Sequence, residues 1–265
     1  MIKRKNILIT GASSGIGKDT AIALFKRGHN VIATTHTETG AQELLDFIKK
    51  KNLDIKVFKL DTTIKEDREK VLNYDLDILI NNAGTGQSGS LAEIPIDRIR
   101  DDFETNVFSA ITLSQLVLKN MINKDKGTII FTSSLAGRVV LPFLGSYSMT
   151  KFALSSGVEA IRIELHKISK NIHISLVEPG AYHTGFNQKN IAKMFTWMDE
   201  KSYFYKIIDQ IKNEEEKYFQ LTEMKSTKSI VDKFIRAVET EKPKLRYTAP
   251  WWQASGIQIM RIFGK

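Results

Sequence analysis

Seven short apolar runs recur along this 265-residue chain with amphipathic helical stretches between most of them, and that alternation restricts the fold more than any other feature. The runs are NILIT from Asn6, NVIATT from Asn30, IKVFKL from Ile55, LDILIN from Leu76, GTIIFTS from Gly127, IHISLV from Ile172 and KLRYTA from Lys244. Helical periodicity occupies residues 18–26, 42–50, 96–121 and 152–168. Strands separated by helices return in the same direction, so the pattern predicts an α/β fold with a doubly wound, parallel, seven-stranded sheet. A hydrophobic content of 42% suffices for one core at this length, and no repeat or linker divides residues 1–265, so a single domain is expected.

One interval breaks the rhythm. Residues 186–221 read as helical pieces rich in aromatics, including Phe195, Trp197, Tyr203 and Phe219, with no strand between them. They follow the sixth strand's carboxyl end, the side of an open α/β sheet where ligands sit. The insertion is either a substrate lid or an ordinary helical pair packed on the body.

Cysteine is absent, which excludes disulfides, a thiolate nucleophile and cysteine-ligated metal sites. The segment from Met1 to Lys5 runs directly into the first strand without a signal-peptide core, and no stretch has the roughly 18 apolar residues of a membrane span. A soluble, cytoplasmic protein is therefore expected. The net charge of +9 favours anionic ligands, yet no basic helix interleaved with aromatics points to nucleic acid.

The first strand leads into TGASSGIG, where Gly11, Gly15 and Gly17 precede a helix. The first glycine permits a tight turn, the second a close approach of backbone to a pyrophosphate, and the third close packing of helix on strand. Amides at the helix start add donors and a favourable dipole for phosphate, as in a Rossmann-type dinucleotide fold. Asp61 after the third strand and NNAG, from Asn81 to Gly84, after the fourth lie where an adenine-ribose half would pass; loop capping is the plainer reading of both.

Ser134 closes the fifth strand, with Tyr147 thirteen residues on and Lys151 four further. Tyr147 and Lys151 then share one helical face. An ammonium beside a phenol stabilises phenolate and is expected to draw its pKa down from about 10 toward neutral pH. Hydride transfer to a carbonyl leaves charge on oxygen, which Tyr147 could protonate and Ser134 could hydrogen-bond, without a metal.

These motifs, in this order, resemble the short-chain dehydrogenase/reductase family from Asn6 to about Gly185, near its hydroxysteroid and retinol dehydrogenase-like members. The resemblance implies a cofactor turn of Gly11, Ser13, Ser14, Gly15, Ile16 and Gly17, an adenine contact at Asp61, and cofactor contacts at Asn82, Ala83 and Gly84. It implies a catalytic set of Asn106, Ser134, Tyr147 and Lys151, with Asn106 linked to Lys151 through water and both Tyr147 and Lys151 also touching cofactor. Pro179, Gly180 and Thr184, in EPGAYHTGF, would flank the nicotinamide.

At the end of the second strand an acid would select NAD and a base would accept a 2′-phosphate; Thr35 and His36 stand there, neither acidic, and NADP(H) is expected over NAD(H). The implied partner is a small, apolar alcohol or ketone. A 3-oxoacyl-thioester reductase and a catalytically inactive dinucleotide sensor are the competing readings. His29, His166 and His173 read as surface residues, whereas His183 borders the expected nicotinamide pocket. The ending from Trp251 to Lys265 is apolar and basic, which suits core or subunit-interface packing or, alternatively, a peripheral membrane contact. Family resemblance implies a homodimer or homotetramer.

Overall fold

The computed structural model describes residues 3–263. In chain order the elements are β1 (Asn6–Ile9), α1 (Gly15–Lys26), β2 (Asn30–Thr35), α2 (Glu38–Lys50), β3 (Lys56–Lys59), α3 (Lys65–Glu69) and β4 (Ile78–Asn81). Then come α4 (Ile96–Phe103), α5 (Ser109–Asn123), β5 (Gly127–Thr132), α6 (Gly145–Leu165) and β6 (Ile172–Pro179). The chain closes with α7 (Phe186–Met194), α8 (Ile208–Thr222), α9 (Lys228–Glu239), β7 (Arg246–Ala249) and α10 (Trp251–Ile262).

The strands form one parallel sheet in the order β3-β2-β1-β4-β5-β6-β7. Because β1 pairs with both β2 and β4, the winding reverses there and a crevice opens beyond the carboxyl ends of β1 and β4. Strands covered on both faces need apolar residues at every position rather than at alternate ones, which is why Ile7, Leu8 and Ile9 are all fully buried, as are Ile129, Ile130 and Phe131. Leu24 of α1, Leu44 of α2 and Phe234 of α9 pack one face of the sheet. Leu113 and Val117 of α5 and Leu154 and Val158 of α6 pack the other.

Two helices depart from the sequence pattern in ways that matter for chemistry. The segment 96–121 was expected as one helix, but a π turn at Glu104–Phe108 separates α4 from α5. Such wide turns admit an extra residue and re-aim side chains. The helix expected over 152–168 begins earlier, at Gly145, which brings Tyr147 into its first turns.

The aromatic interval forms α7, α8 and a short connecting turn, with a small core of Met194, Met198 and Ile211. Trp197 and Phe204 pack on that cluster together with Phe143, which comes from the loop before α6. The interval is thus joined to the stretch that leads into Tyr147. Two expectations are corrected here. His29 is buried, not exposed, because α1 ends by turning it inward, 3.4 Å from Glu239. The α10 helix contributes nothing to the core of this chain: none of its residues is buried.

Candidate active site

The glycine turn is shaped by the opposite half of the sheet. Gly11 has φ +66°, and a side chain there would bring Cβ to 2.7 Å from the Ala83 Cα, so only glycine fits. Asn82 donates its side-chain amide to the carbonyls of Thr10 and Gly11, both at 3.0 Å, and the Thr10 hydroxyl accepts from the backbone amides of Asn82 and Ala83, also at 3.0 Å. Asn82 is therefore a clamp across the crevice, with its amide donors already used inside the protein. Helix α1 then starts at Ser14 with no side-chain cap and no acidic residue in its first turn. Its uncommitted backbone donors, beside the exposed Ser13 and Ser14, suit a phosphate group. Thr184 faces Gly15 across this opening.

The adenine-side residues divide. The hydroxyl of buried Thr35 is donated to the Thr37 carbonyl at 2.8 Å, whereas His36 is exposed. One oxygen of Asp61 caps its own loop, accepting from the Thr63 amide at 2.9 Å and the Thr63 hydroxyl at 2.7 Å.

The reactive side chains gather beyond β4 and β5. Ser134 is extended and half-buried; its hydroxyl accepts from the Ala136 amide at 3.0 Å and donates to the Pro179 carbonyl at 3.4 Å. The Lys151 ammonium is buried, donates to the Thr132 carbonyl at 3.0 Å and lies 5.6 Å from the centroid of the Tyr147 ring. Asn106, on the π turn, donates to the Thr85 carbonyl at 2.8 Å and the Thr150 hydroxyl at 3.0 Å, and accepts from the Thr85 amide. Asn106 and Lys151 both border Gly84 without bonding each other directly. A Cβ on Gly86 would come within 3.0 Å of the Tyr147 ring, so the loop after β4 lies directly against the phenol.

The electrostatics differ from the sequence expectation. Burial pushes the Tyr147 phenol up to about 12, and the Asp102 carboxylate adds to the rise while the Ser134 hydroxyl opposes it. Burial likewise pushes the Lys151 ammonium down to about 8, against the attraction of Asp102. The predicted lowering of the phenol by Lys151 is not found among the protein's own groups: burial dominates at Tyr147, and only the Ser134 hydroxyl opposes it. Tyr147 is thereby kept as a protonated acid over the physiological range.

Asp102, Glu178 and Lys193 border this site without having been singled out in the sequence. Asp102 is fully buried, accepts from the Ser146 hydroxyl at 2.6 Å and from the Gln87 amide at 3.1 Å, and so fixes both the start of α6 and the loop after β4. Its spacing of four residues before Asn106 was the available signal. Lys193 of α7 donates to the Thr85 hydroxyl and the Gly86 carbonyl, both at 2.9 Å, while Phe186 stands 5.6 Å from the Tyr147 ring. Glu178 is buried beside Arg138, which donates to it at 3.2 Å, and this pairing steadies the strand end at Pro179. Gly180 donates its amide to the Ala249 carbonyl at 2.8 Å. His183 is paired with Glu223 at 2.7 Å. A groove of 970 Å³ between α7 and α8 includes His183, Phe195 and Phe219 but none of Ser134, Tyr147 or Lys151.

Fold and site together define a Rossmann-type α/β protein with a serine, a tyrosine and a lysine collected at the strand ends. The model of the short chain dehydrogenase family matches residues 5–194. A 3-ketodihydrosphingosine reductase of Bacteroides thetaiotaomicron is 34% identical over 191 residues, spanning 71% of this chain and 68% of that protein. Human retinol dehydrogenase 8 is 34% identical over 198 residues, 72% of this chain and 63% of that protein. Among solved structures, a 7α-hydroxysteroid dehydrogenase complexed with NADH and 7-oxo glycochenodeoxycholic acid superposes with a TM-score of 0.63 at 30% identity, covering 69% of this chain and 73% of that one. The chain belongs to the short-chain dehydrogenase/reductase family of oxidoreductases. Among the described residues no helix is long and apolar enough to cross a membrane.

Proposed function

We propose that the chain interconverts a carbonyl and a primary or secondary alcohol on a small apolar substrate with a nicotinamide dinucleotide, Tyr147 serving as acid and base. The observation that carries this reading is the meeting of Ser134, Tyr147 and Lys151 beside the uncapped start of α1. A dinucleotide would lie with its phosphates on the amides of residues 14–17, its adenine side toward Asp61 and His36, and its far end between Thr184 and Pro179. When bound, its nicotinamide gives or takes the hydride.

The chain's own groups handle the oxygen. Ser134 would turn its hydroxyl donor from the Pro179 carbonyl, where it is held at 3.4 Å, to the substrate oxygen, and Tyr147 delivers the proton as negative charge grows there. Lys151 stabilises the phenolate so formed, and its anchor on Thr132 fixes its direction. Asn106 and Asp102 act by position: the first holds Thr85 and Thr150, the second holds Ser146. Phe186 and Lys193 support a lid role for residues 186–221, since they set α7 against Tyr147 and the loop after β4.

An apolar substrate is supported by Phe186 beside the Tyr147 ring and by relatives named for sphingoid and retinoid compounds, whereas Tyr182, expected in the pocket wall, is buried in the core with its hydroxyl on Ser229. Preference for NADP(H) is supported by the lack of a carboxylate at Thr35 and His36; initial rates with NADPH and NADH decide it, and a strong NADH preference refutes it. Exposed Ile96, Phe108 and Ile122 on the α4–α5 rod support a homodimer or homotetramer, which sedimentation velocity tests. For the chemistry, Tyr147→Phe is expected to lower turnover by roughly 10²- to 10⁴-fold with dinucleotide affinity nearly unchanged. Undiminished turnover would remove Tyr147 from its role.

A further inference from the structure

Helix α10 is built the wrong way round for a helix that packs on a body. Gln253, Ala254 and Ile257 are its half-buried side, whereas Trp251, Trp252, Ile259, Ile262 and Phe263 lie on the opposite arc and are exposed. Trp251 is 77% exposed, Phe263 75% and Ile262 70%, far above what a solvated surface helix presents. The helix is nonetheless firmly placed. Gln253 accepts from the Ala181 amide at 2.8 Å and donates to the Thr222 carbonyl at 2.8 Å, tying α10 to the turn after Pro179 and to the end of α8.

Charge identifies what covers this arc. From Trp251 onward the charged residues of the sequence are Arg261 and Lys265, both cationic, with no acidic residue among them. Pairing the arc with a second copy would gather cations with no acid from the segment to meet them. An anionic lipid surface meets both demands: its acyl boundary takes the apolar side chains, its headgroups take the cations, and the two tryptophans suit the interface between them.

We propose that α10 lies flat on an anionic lipid surface with this apolar arc in the interface, which brings the rim of the active cleft to the membrane. The second clause rests on the proposed apolar substrate, which would partition into that surface; the first does not.

The test uses the full chain and vesicles without substrate. Wild-type protein is sedimented with phosphatidylcholine vesicles and with vesicles containing phosphatidylglycerol as well. It should pellet with the anionic vesicles more than with the neutral ones, and its tryptophan fluorescence should shift to the blue. Ile259→Ser/Phe263→Ser, both on the exposed arc, should lower partitioning at least about tenfold while leaving far-UV circular dichroism and sedimentation coefficient unchanged. Arg261→Gln should weaken binding to anionic vesicles alone. The proposal is overturned if wild type binds neither vesicle, or if the double variant binds as well as wild type. It is equally overturned if the double variant loses oligomer mass, since a second copy then covers the arc. None of these readouts involves turnover, so loss of the oxidoreductase reading would leave the result interpretable.

Discussion

Glu215 offers a sharp test of how this chain is balanced. Helix α8 turns Ile211, Glu215 and Phe219, spaced four apart, toward the body, and the middle one carries a carboxyl. Both of its oxygens lack a hydrogen-bond partner, and burial, the sole cause, pushes it up from 4.5 to about 7. At about 1.4 kcal/mol per tenfold change in proton affinity, that displacement is worth about 3 kcal/mol. The folded-state value lies above the unfolded one, so this group's contribution is intact below pH 4.5 and is lost as pH rises through about 7. Glu215→Met keeps the bulk and removes the charge. Its advantage over wild type in urea titrations should be about 2 to 3 kcal/mol larger at pH 8 than at pH 5, equivalent to roughly 5 °C in melting temperature. At pH 5 a gain of about 1 kcal/mol or more should persist, because the neutral carboxyl is also unpartnered. An advantage independent of pH, or a loss of stability at pH 8, would refute the reasoning.

Three other outcomes follow from geometry already given. Gly11→Ala should destabilise the protein by about 2 kcal/mol and weaken dinucleotide binding, measured by denaturation and by fluorescence titration, because the backbone is left-handed there and Ala83 blocks the new methyl. In carbonyl reduction, kcat/KM should fall above pH about 8 as Lys151 loses its proton, since the phenol at about 12 titrates well beyond that limb; Asp102→Asn should move the limb to lower pH, and an unmoved limb would exclude Asp102 as the source. Burial lowers the His29 pKa, so the unfolded chain takes up a proton that the folded chain refuses; stability should drop as pH falls below about 6.5, and His29→Leu should flatten that drop in thermal melts.

The sheet and the placement of its motifs were legible because strands buried on both faces must be continuously apolar, and because parallel crossovers put every strand's carboxyl end on one side. TGASSGIG and Ser134 fell on that side because they follow strands, whereas Tyr147 and Lys151 were assigned to it by the resemblance, since the apolar periodicity began only at Phe152. What could not be read were properties that depend on neighbours distant in sequence. The pKa of Tyr147 is set by burial between Gly86, Phe186 and α6, which no local pattern encodes. Asp102 looked like one charge among several on an amphipathic helix, and only the fold brings it to Ser146 and Gln87. His29 reads as a surface residue at a helix end and is buried, whereas the tail from Trp251, read as core or subunit-interface packing or a membrane contact, has no buried residue from Trp251 to Ile262. In both cases the residue type gave one answer and the available packing partners another.

The Asn82 amide has a further consequence. By spanning from β4 to the carbonyls of Thr10 and Gly11, it makes the contour of the phosphate loop a joint product of two segments some seventy residues apart. The loop can then greet its ligand already in shape, with little entropy left to lose on contact. A fragment ending after β3 would contain every glycine of the loop and still lack the brace that gives them their form.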